Sequence, residues 1–320
     1  GRTGGPRCMA QAETIWKPAN MARVHAQLIV SRALVATSFP VGAAITHGLE
    51  PAMLILLRFA LASLLFAPFV YLRHGLALPR PRALAGYAVI SGCLVVFFWC
   101  MFTALRTTTA LNTGAIVTLV PGIAAIYAAI LVRERLGAHR MVALGCGLVG
   151  ALWVVFRGDF DRFASLTLNG GDLIFFAGCL ALGLYGPLVK RFHRQEPAAV
   201  MTFWVLVMGT GWLVLINHSA IWRMDWGAID ATVFAGIAYL AVFTTIISFY
   251  VAQHATLHIG PTRSSSYSYL TPAMVVAIEF LAGKGLPTLA ILPGVVVIFV
   301  ATFVVQRGGK AEEGPIGRQL

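Results

Sequence analysis

The side chain whose chemistry stands out most is Glu279, because it lies inside a long apolar stretch of the chain. An ionisable group among apolar residues is costly unless it has a task or a partner. Glu279 could bind a substrate ammonium group or relay a proton. The alternative is a protonated or hydrogen-bonded packing residue near the end of its helix, and the two interpretations have equal weight.

Two arginines, Arg32 and Arg58, also lie inside apolar stretches, and either could receive a substrate carboxylate. Arg32 lies near the start of its stretch, so extension of its guanidinium to the nearer surface competes with that role. Arg58 lies about two helical turns into the next stretch. For Arg58, extension to the surface or a structural pairing is favoured over substrate contact.

Hydroxyl and aromatic side chains are the remaining candidates for substrate binding. The segment 262–271, TRSSSYSYLT, is the most polar part of any apolar stretch, and its hydroxyls could satisfy a polar ligand. Helix packing through small serines is the competing interpretation. The candidates are Tyr267 and Ser266 from this segment, and the aromatic residues Phe98, Trp99, Phe102, Tyr185, Tyr239 and Tyr250. For any single aromatic residue, ordinary packing is favoured.

Three further patterns resemble cofactor or metal sites. His254 and His258 have metal-like spacing, but no third ligand is evident, so an interfacial or proton-linked role is favoured. Residues 145–150, GCGLVG, fit a nucleotide-binding fingerprint, but such a fingerprint follows a strand. Inside an apolar stretch it predicts a packing face of small residues. Cysteines within apolar stretches are expected to be small hydrophobes. The sequence therefore predicts no metal, no cofactor and no disulfide.

Composition places these residues in a membrane protein. Hydrophobic residues make up 58% and charged residues 11% of the 320 residues, and the mean hydropathy is +0.81. About 25% charged residues is typical of a soluble domain, so this chain cannot cover a water-facing surface. The net charge of +12 could indicate nucleic acid, but Lys and Arg of cytoplasmic loops explain it better, so no nucleic-acid partner is predicted.

A membrane-spanning helix needs roughly 20 apolar residues, and on that basis the sequence predicts ten spans. The predicted spans are 26–46, 52–72, 84–104, 109–132, 139–156, 171–189, 198–217, 231–252, 264–283 and 287–305. With the N-terminus inside, 17 of the 24 Lys and Arg lie on the cytoplasmic side and 5 on the outer side. This bias predicts that both termini are cytoplasmic.

The apolar segments occur as a repeat. A shift of 151 positions places Leu270 on Leu119 and Pro272 on Pro121. Each repeat holds five spans, an odd number, so the second is expected to be inverted relative to the first. Residues 25–157 form the predicted first half and 170–306 the second half. Residues 1–24 are expected to be disordered or left from expression, with Met9 or Met21 as the natural start, and 307–320 to be a cytoplasmic tail.

Several short motifs resemble those of one family. They are Ser38-Phe39-Pro40, Arg58-Phe59, Leu119-Val120-Pro121 with Glu134-Arg135-Leu136, Gly171-Asp172-Leu173, Tyr185 and Leu270-Thr271-Pro272. In order and spacing they are similar to EamA-type members of the drug/metabolite transporter superfamily, over about 25–306. The resemblance implies an exporter of amino acids or similar small metabolites, with aromatic amino acid exporters as the nearest kind. One departure is that Gly285 stands where such proteins often repeat the acid matching Glu134.

The sequence thus predicts an all-α integral membrane protein with ten transmembrane helices in two inverted five-helix repeats, in the bacterial inner membrane. Its partners are a small-molecule substrate and the lipid bilayer. Export by alternating access would use kinks at Pro40, Pro121 and Pro272. Proton coupling through Glu279 is left open. The alternatives are an exporter of drugs or hydrophobic cations, a channel, and a lipid-modifying membrane enzyme, although no cluster of acids or His residues supports the last.

Overall fold

The computed structural model describes residues 18–45, 48–104, 107–108, 110–165, 167–281, 283 and 289–307. Every regular element in these ranges is helical. The α-helices are α1 (Pro18–Ile45), α2 (Pro51–His74), α3 (Pro81–Ala104), α4 (Ala110–Val117), α5 (Val120–Leu131), α6 (Ala138–Val155), α7 (Phe160–Ala164), α8 (Gly170–Phe192), α9 (Ala198–Arg223), α10 (Ala231–Tyr239), α11 (Ser248–Ile259), α12 (Pro261–Ser266), α13 (Leu270–Leu281) and α14 (Leu292–Gln306). A π turn, Leu240–Ile247, joins α10 to α11, and short 3-10 turns cover Trp226–Ala228, Tyr267–Tyr269 and Leu289–Ile291.

Eight segments in the described part of the chain are long and apolar enough to cross a bilayer. They are Pro51–His74, Pro81–Ala104, Asn112–Leu131, Ala138–Val155, Gly170–Phe192, Ala198–Arg223, Ala231–Ile259 and Leu289–Gln306. Each overlaps one predicted span. The other two predicted spans, 26–46 and 264–283, overlap α1 and α12–α13, which are not among the eight. The coarser prediction of a multi-pass helical membrane protein is confirmed, whereas the count of ten remains a prediction.

The first helix begins earlier than the sequence indicates. It starts at Pro18, so residues 18–24 are helical, whereas 1–24 were expected to be disordered or left from expression. Proline is tolerated in the first turn of a helix because the amide it lacks has no intrahelical acceptor there. Residues 1–17 and 308–320 lie outside the described residues.

The two predicted halves pack mainly on each other. The extensive contacts pair α3 with α8, α6 with α14, α2 with α9, and α5 with α8, and every pair joins one half to the other. The pair α6–α14 approaches backbone to backbone, since a Cβ on Gly150 would lie 2.9 Å from the Gly294 carbonyl oxygen. A Cβ on Gly147 would lie 2.7 Å from the Tyr269 ring. Gly147 and Gly150 of the run 145–150 therefore lie on a packing face in this structure.

Two helices of corresponding position in the halves are interrupted. In the first half, helical hydrogen bonding stops at Val117 and resumes at Val120, directly before Pro121. In the second half, the 3-10 turn Tyr267–Tyr269 separates α12 from α13, whose third residue is Pro272. Proline cannot donate to the preceding turn, so it favours a break at that level. Both breaks lie inside the bundle, since Thr118 in the first and Tyr267 and Tyr269 in the second are buried.

Candidate functional site

The centre of the bundle holds a cluster of aromatic rings drawn from both halves. Phe249 of α11 lies with its ring centroid 6.2 Å from Tyr185, 6.3 Å from Phe98 and 6.1 Å from Phe59. Phe59 and Phe98 meet edge to face at 5.8 Å. Rings at these separations interact favourably and leave little freedom to rearrange. We call Phe59, Phe98, Tyr185 and Phe249 the aromatic cluster.

Arg58 borders the aromatic cluster and is buried. Its Nε donates to the Thr245 hydroxyl at 2.5 Å, and its Nη2 donates to the Thr244 hydroxyl and carbonyl oxygens at 2.9 and 3.1 Å. The guanidinium carbon lies 4.9 Å from the centroid of the Phe98 ring. Thr244 and Thr245 belong to the π turn, which places both hydroxyls towards α2. These contacts agree with the structural pairing favoured for Arg58.

Arg32 has a different environment. Its Nε is buried without a hydrogen-bond partner among the described residues, and its electrostatic neighbour is the Tyr185 hydroxyl. Tyr185 faces Gln253 of α11, but neither the Tyr185 hydroxyl nor the Gln253 Nε2 reaches hydrogen-bond geometry. The Gln253 Oε1 accepts from Thr202 at 2.7 Å. The buried Nε does not agree with extension of Arg32 to the surface, because helices of the second half, among them α11 and α13, pack on α1.

The hydroxyl-rich segment is used mainly for packing. Tyr267 is buried, and its hydroxyl lies 2.7 Å from Nδ1 of His25 on α1. Ser266 is fully buried and donates to the Arg263 carbonyl at 2.9 Å, while it accepts from Gln306 at 3.1 Å. Ser266 is thus occupied by partners on its own helix and on α14. Tyr267 remains beside the break in the second half.

The other aromatic candidates lie outside the aromatic cluster. Trp99 is 51% exposed on the outside of α3, although its neighbour Phe98 is buried, so Trp99 is not brought to the aromatic cluster. Phe102 is buried in the same core without a described ring contact to the cluster. The Tyr239 hydroxyl is hydrogen-bonded to the Thr37 hydroxyl at 2.6 Å, and the ring centroids of Tyr250 and Phe66 are 6.3 Å apart.

The remaining candidates are of two kinds. Some have side chains outside the described residues, and the others form no site with their neighbours. The side chains of Glu279 and Pro40 lie outside the described residues, although α13 and α1 run through these positions. The rings of His254 and His258 are 4.1 Å apart, and the described residues hold no group of three or more metal-ligating side chains. Pro121 is buried at the start of α5.

Two acids stabilise the chain beside the interrupted helices. Asp172, at the start of α8, accepts from the Thr108 hydroxyl, from the Asn112 amide at 2.8 Å and from the Asn169 backbone amide at 2.8 Å. Together with Asn169 it forms a capping box, which satisfies the open amides of a helix start. The Asp172 network thus joins the start of α8 to the segment that leads into α4.

Glu134 lies near the other interrupted helix. Its carboxylate is 3.5 Å from where a Cβ on Gly260 would stand, and it faces Thr262 at the start of α12. Its Oε2 has no hydrogen-bond partner in the described part of the chain. Burial raises the pKa of Glu134 above its ordinary value, although Lys190, Thr262 and Arg140 each lower it in part.

Sequence reasoning did not single out Gln253, Phe249, Thr244 or Thr245 as members of this centre. The shift of 151 positions that defines the repeat places Phe249 on Phe98, which is the only signal the sequence offers for it. Gln253 directly follows the predicted span 231–252 and could have been found as a polar residue at the end of that span. The two threonines had no signal, because a π turn has no sequence signature of its own.

Spans of this number and apolarity define a multi-pass membrane protein. The family model described as the EamA-like transporter family matches residues 24–156 and again 169–307. The chain therefore belongs to the EamA-like transporter family. The family assigned by resemblance is confirmed, and the coarser function is that of a transporter.

Individual relatives carry the same general description. The uncharacterized transporter YyaM of Bacillus subtilis (strain 168) is 25% identical over 75% of this chain and 80% of its own length. The uncharacterized transporter YdfC of the same organism is 24% identical over 87% of this chain and 90% of its own length. One crystal structure superposes with a TM-score of 0.70 at 16% identity, covering 91% of this chain and 99% of that chain. At this identity the structural likeness shows the fold alone.

Proposed function

We propose that the protein exports small organic metabolites, with amino acids as the leading class, across the bacterial cytoplasmic membrane by alternating access. Membership in a transporter family supports transport, and it does not name the substrate. The proposal includes ten spans in two inverted halves, with both termini in the cytoplasm. Coupling to protons through Glu279 remains part of the proposal to be tested.

The observation that carries this proposal is the pair of interrupted helices. The breaks precede Pro121 and Pro272, which are 151 residues apart. In secondary transporters, discontinuous helices in equivalent positions of two repeats surround the substrate site. Here each break contains a buried hydroxyl-bearing side chain, Thr118 in the first and Tyr267 in the second, which a substrate between the halves could meet.

The pattern of helix packing supports two equivalent halves. Contacts between α3 and α8 are matched by contacts of α11 with α1, and contacts between α5 and α8 by contacts of α13 with α1. The family model matches the chain twice, over 24–156 and 169–307. Since each half would contain five spans, an odd number, a membrane topology in which the halves are inverted follows.

Uptake into proteoliposomes tests the function. The full chain would be reconstituted and offered a panel of labelled amino acids, with and without a pH gradient, beside protein-free liposomes. Saturable uptake with competition between substrates supports a carrier, and an effect of the gradient supports proton coupling. If no amino acid is taken up while ethidium is, the amino acid proposal is overturned in favour of hydrophobic cations.

Cysteine labelling from the two sides tests the topology. In a variant without the native cysteines, Arg73→Cys should react only with a reagent applied to the cytoplasmic side. Trp222→Cys should react only from outside, and Trp222 suits labelling because it is 88% exposed. Labelling of both positions from the same side would contradict the proposed arrangement.

A further inference from the structure

We infer that Arg32, Tyr185 and Gln253 form a receptor for the carboxylate of the transported substrate, with the aromatic cluster against its apolar part. This inference rests on the proposed transport function and names the substrate class. The class is organic acids, amino acids among them, that carry a free carboxylate next to an apolar or aromatic group.

The Arg32 guanidinium makes no hydrogen bond to the described residues, and its Nε is buried without a partner. No ion pair joins it to a carboxylate of the described residues. The side chain that interacts with it electrostatically is the Tyr185 hydroxyl. A buried cation without compensation is costly, and an anion that binds beside it recovers that cost.

Arg58 provides the internal comparison. It is also a cation inside the bundle, but its Nε and Nη2 donate to Thr245 and Thr244. Its hydrogen-bonding capacity is therefore used by the protein. Arg32 carries the same fork of donors with none of them engaged, and that fork matches the two oxygens of a carboxylate.

Two more donors without acceptors lie near this guanidinium: the Tyr185 hydroxyl neighbours Arg32, and the Gln253 amide faces Tyr185. The Tyr185 hydroxyl and the Gln253 Nε2 are buried, and neither has a hydrogen-bond partner in the described residues. Buried polar groups are nearly always satisfied, so a group of such donors indicates a missing acceptor. Because Arg32, Tyr185 and Gln253 can all donate, the acceptor that fits all three is an anionic oxygen group.

The position of this receptor suits a transport site. Arg32 belongs to the first half, and Tyr185 and Gln253 belong to the second half. Tyr185 lies seven residues before the end of α8, and Gln253 lies six residues before the end of α11. At a rise of about 1.5 Å per residue, both lie about 10 Å from the same end of the bundle. An anion held between the halves would be released when they separate. Tyr185 also contacts Phe249 at 6.2 Å, which places the aromatic cluster beside the receptor.

Binding to the full-length purified protein tests the assignment with three probes. L-phenylalanine carries a carboxylate and an amine, 3-phenylpropionate only the carboxylate, and phenethylamine only the amine. We expect the two carboxylates to bind. Arg32→Gln should weaken both about 10- to 100-fold, because a hydrogen bond to a charged group is lost. Tyr185→Phe should weaken both about 3- to 10-fold. Arg73→Gln and Tyr71→Phe are the matched controls, because both residues are exposed.

Two further variants separate loss of folding, and loss of an ion pair with Glu279, from loss of ligand binding. Arg32→Lys keeps the charge without the fork, so it should bind 3-phenylpropionate with intermediate affinity, and gel filtration shows whether it folds. The double variant Arg32→Gln/Glu279→Gln tests whether Arg32 serves to pair with Glu279. Recovery of wild-type affinity in the double variant overturns the receptor.

The outcomes separate this inference from the proposed function. If neither carboxylate binds the wild type, or if Arg32→Gln leaves their affinities unchanged, the receptor is overturned even where amino acids are transported. If 3-phenylpropionate binds and depends on Arg32 while no probe is transported in proteoliposomes, the receptor stands and the transport proposal fails.

Discussion

Arg58 of the first half and Thr245 of the second half are joined by a hydrogen bond of 2.5 Å between Nε and the hydroxyl. The Thr245 hydroxyl also lies 3.0 Å from the Leu240 carbonyl, five residues earlier in the π turn. The arginine therefore stabilises a wide turn as well as the contact between α2 and the second half. Its planar fork donates to Thr244 and Thr245 together in a fixed geometry that an ammonium group does not provide.

Replacement of Arg58 by lysine should lower thermal stability. We expect Arg58→Lys to cost about 1–3 kcal/mol, since at least one hydrogen bond to a charged group is lost in a buried place. Thermal unfolding of the detergent-solubilised protein measures this. A double-mutant cycle with Thr245→Val should be non-additive by about 1 kcal/mol. Additive effects would show that the two side chains do not act as a pair.

Gly150 should tolerate no side chain. A Cβ there would meet the Gly294 carbonyl at 2.9 Å and Val297 at 3.0 Å. Gly150→Ala should therefore destabilise the protein by about 1–3 kcal/mol through overpacking. Gly145→Ala on the same helix is the control, because nothing lies within 4 Å of its Cβ position. Equal melting temperatures for the two variants would contradict the close approach of α6 and α14.

The stability of the protein should carry a pH dependence from Glu134. Burial raises its pKa in the folded protein above the ordinary value of 4.5, so the folded chain holds the proton more tightly than the unfolded chain. Its stabilising contribution is complete below pH 4.5 and is lost as pH rises through the folded pKa. The melting temperature of wild type minus that of Glu134→Gln should therefore fall as pH rises from 4.5 towards neutrality. A difference that stays constant with pH would show that Glu134 does not titrate in this way.

Phe98 and Trp99 are adjacent but should differ in transport. Phe98→Leu removes a ring from the aromatic cluster and should raise the KM for an aromatic amino acid about 2- to 10-fold. Trp99→Leu should leave the KM unchanged, because Trp99 is 51% exposed. Transport kinetics in proteoliposomes provide the comparison. A larger effect of Trp99→Leu would place the substrate on the other face of α3.

The spans could be predicted because hydropathy and length are local properties. The breaks before Pro121 and Pro272 agree with proline chemistry, but proline alone does not locate a break, because Pro68 and Pro187 lie inside helices that continue. Which side of each helix faces the inside of the bundle could not be predicted. Residues 94–102 of α3 are apolar on every side, so no periodicity distinguishes the inward Phe98 from the outward Trp99.

The polar partners were also beyond sequence reasoning. Arg58 pairs with residues 186 and 187 positions away, through a turn whose shape depends on tertiary contacts. For Arg32, extension to the surface competed with a role in substrate binding because it lies near the start of a predicted span. The helix begins at Pro18, however, and its added turns place Arg32 deep within α1. A boundary error of a few residues thus changed the expected environment of a cation.

The Asp172 network has a consequence for the balance between conformations. At that end of the bundle the carboxylate accepts hydrogen bonds from Thr108 and Asn112 of the other half, whereas the Glu134 carboxylate, near the start of α12, has one oxygen without a partner in the described part of the chain. Separation of the halves at the Asp172 end must therefore break two charge-assisted hydrogen bonds, and that oxygen of Glu134 has none to lose. Without substrate, the opening equilibrium should favour access from the Glu134 side. The resting protein would then present its site to one compartment before any gradient or ligand acts on it.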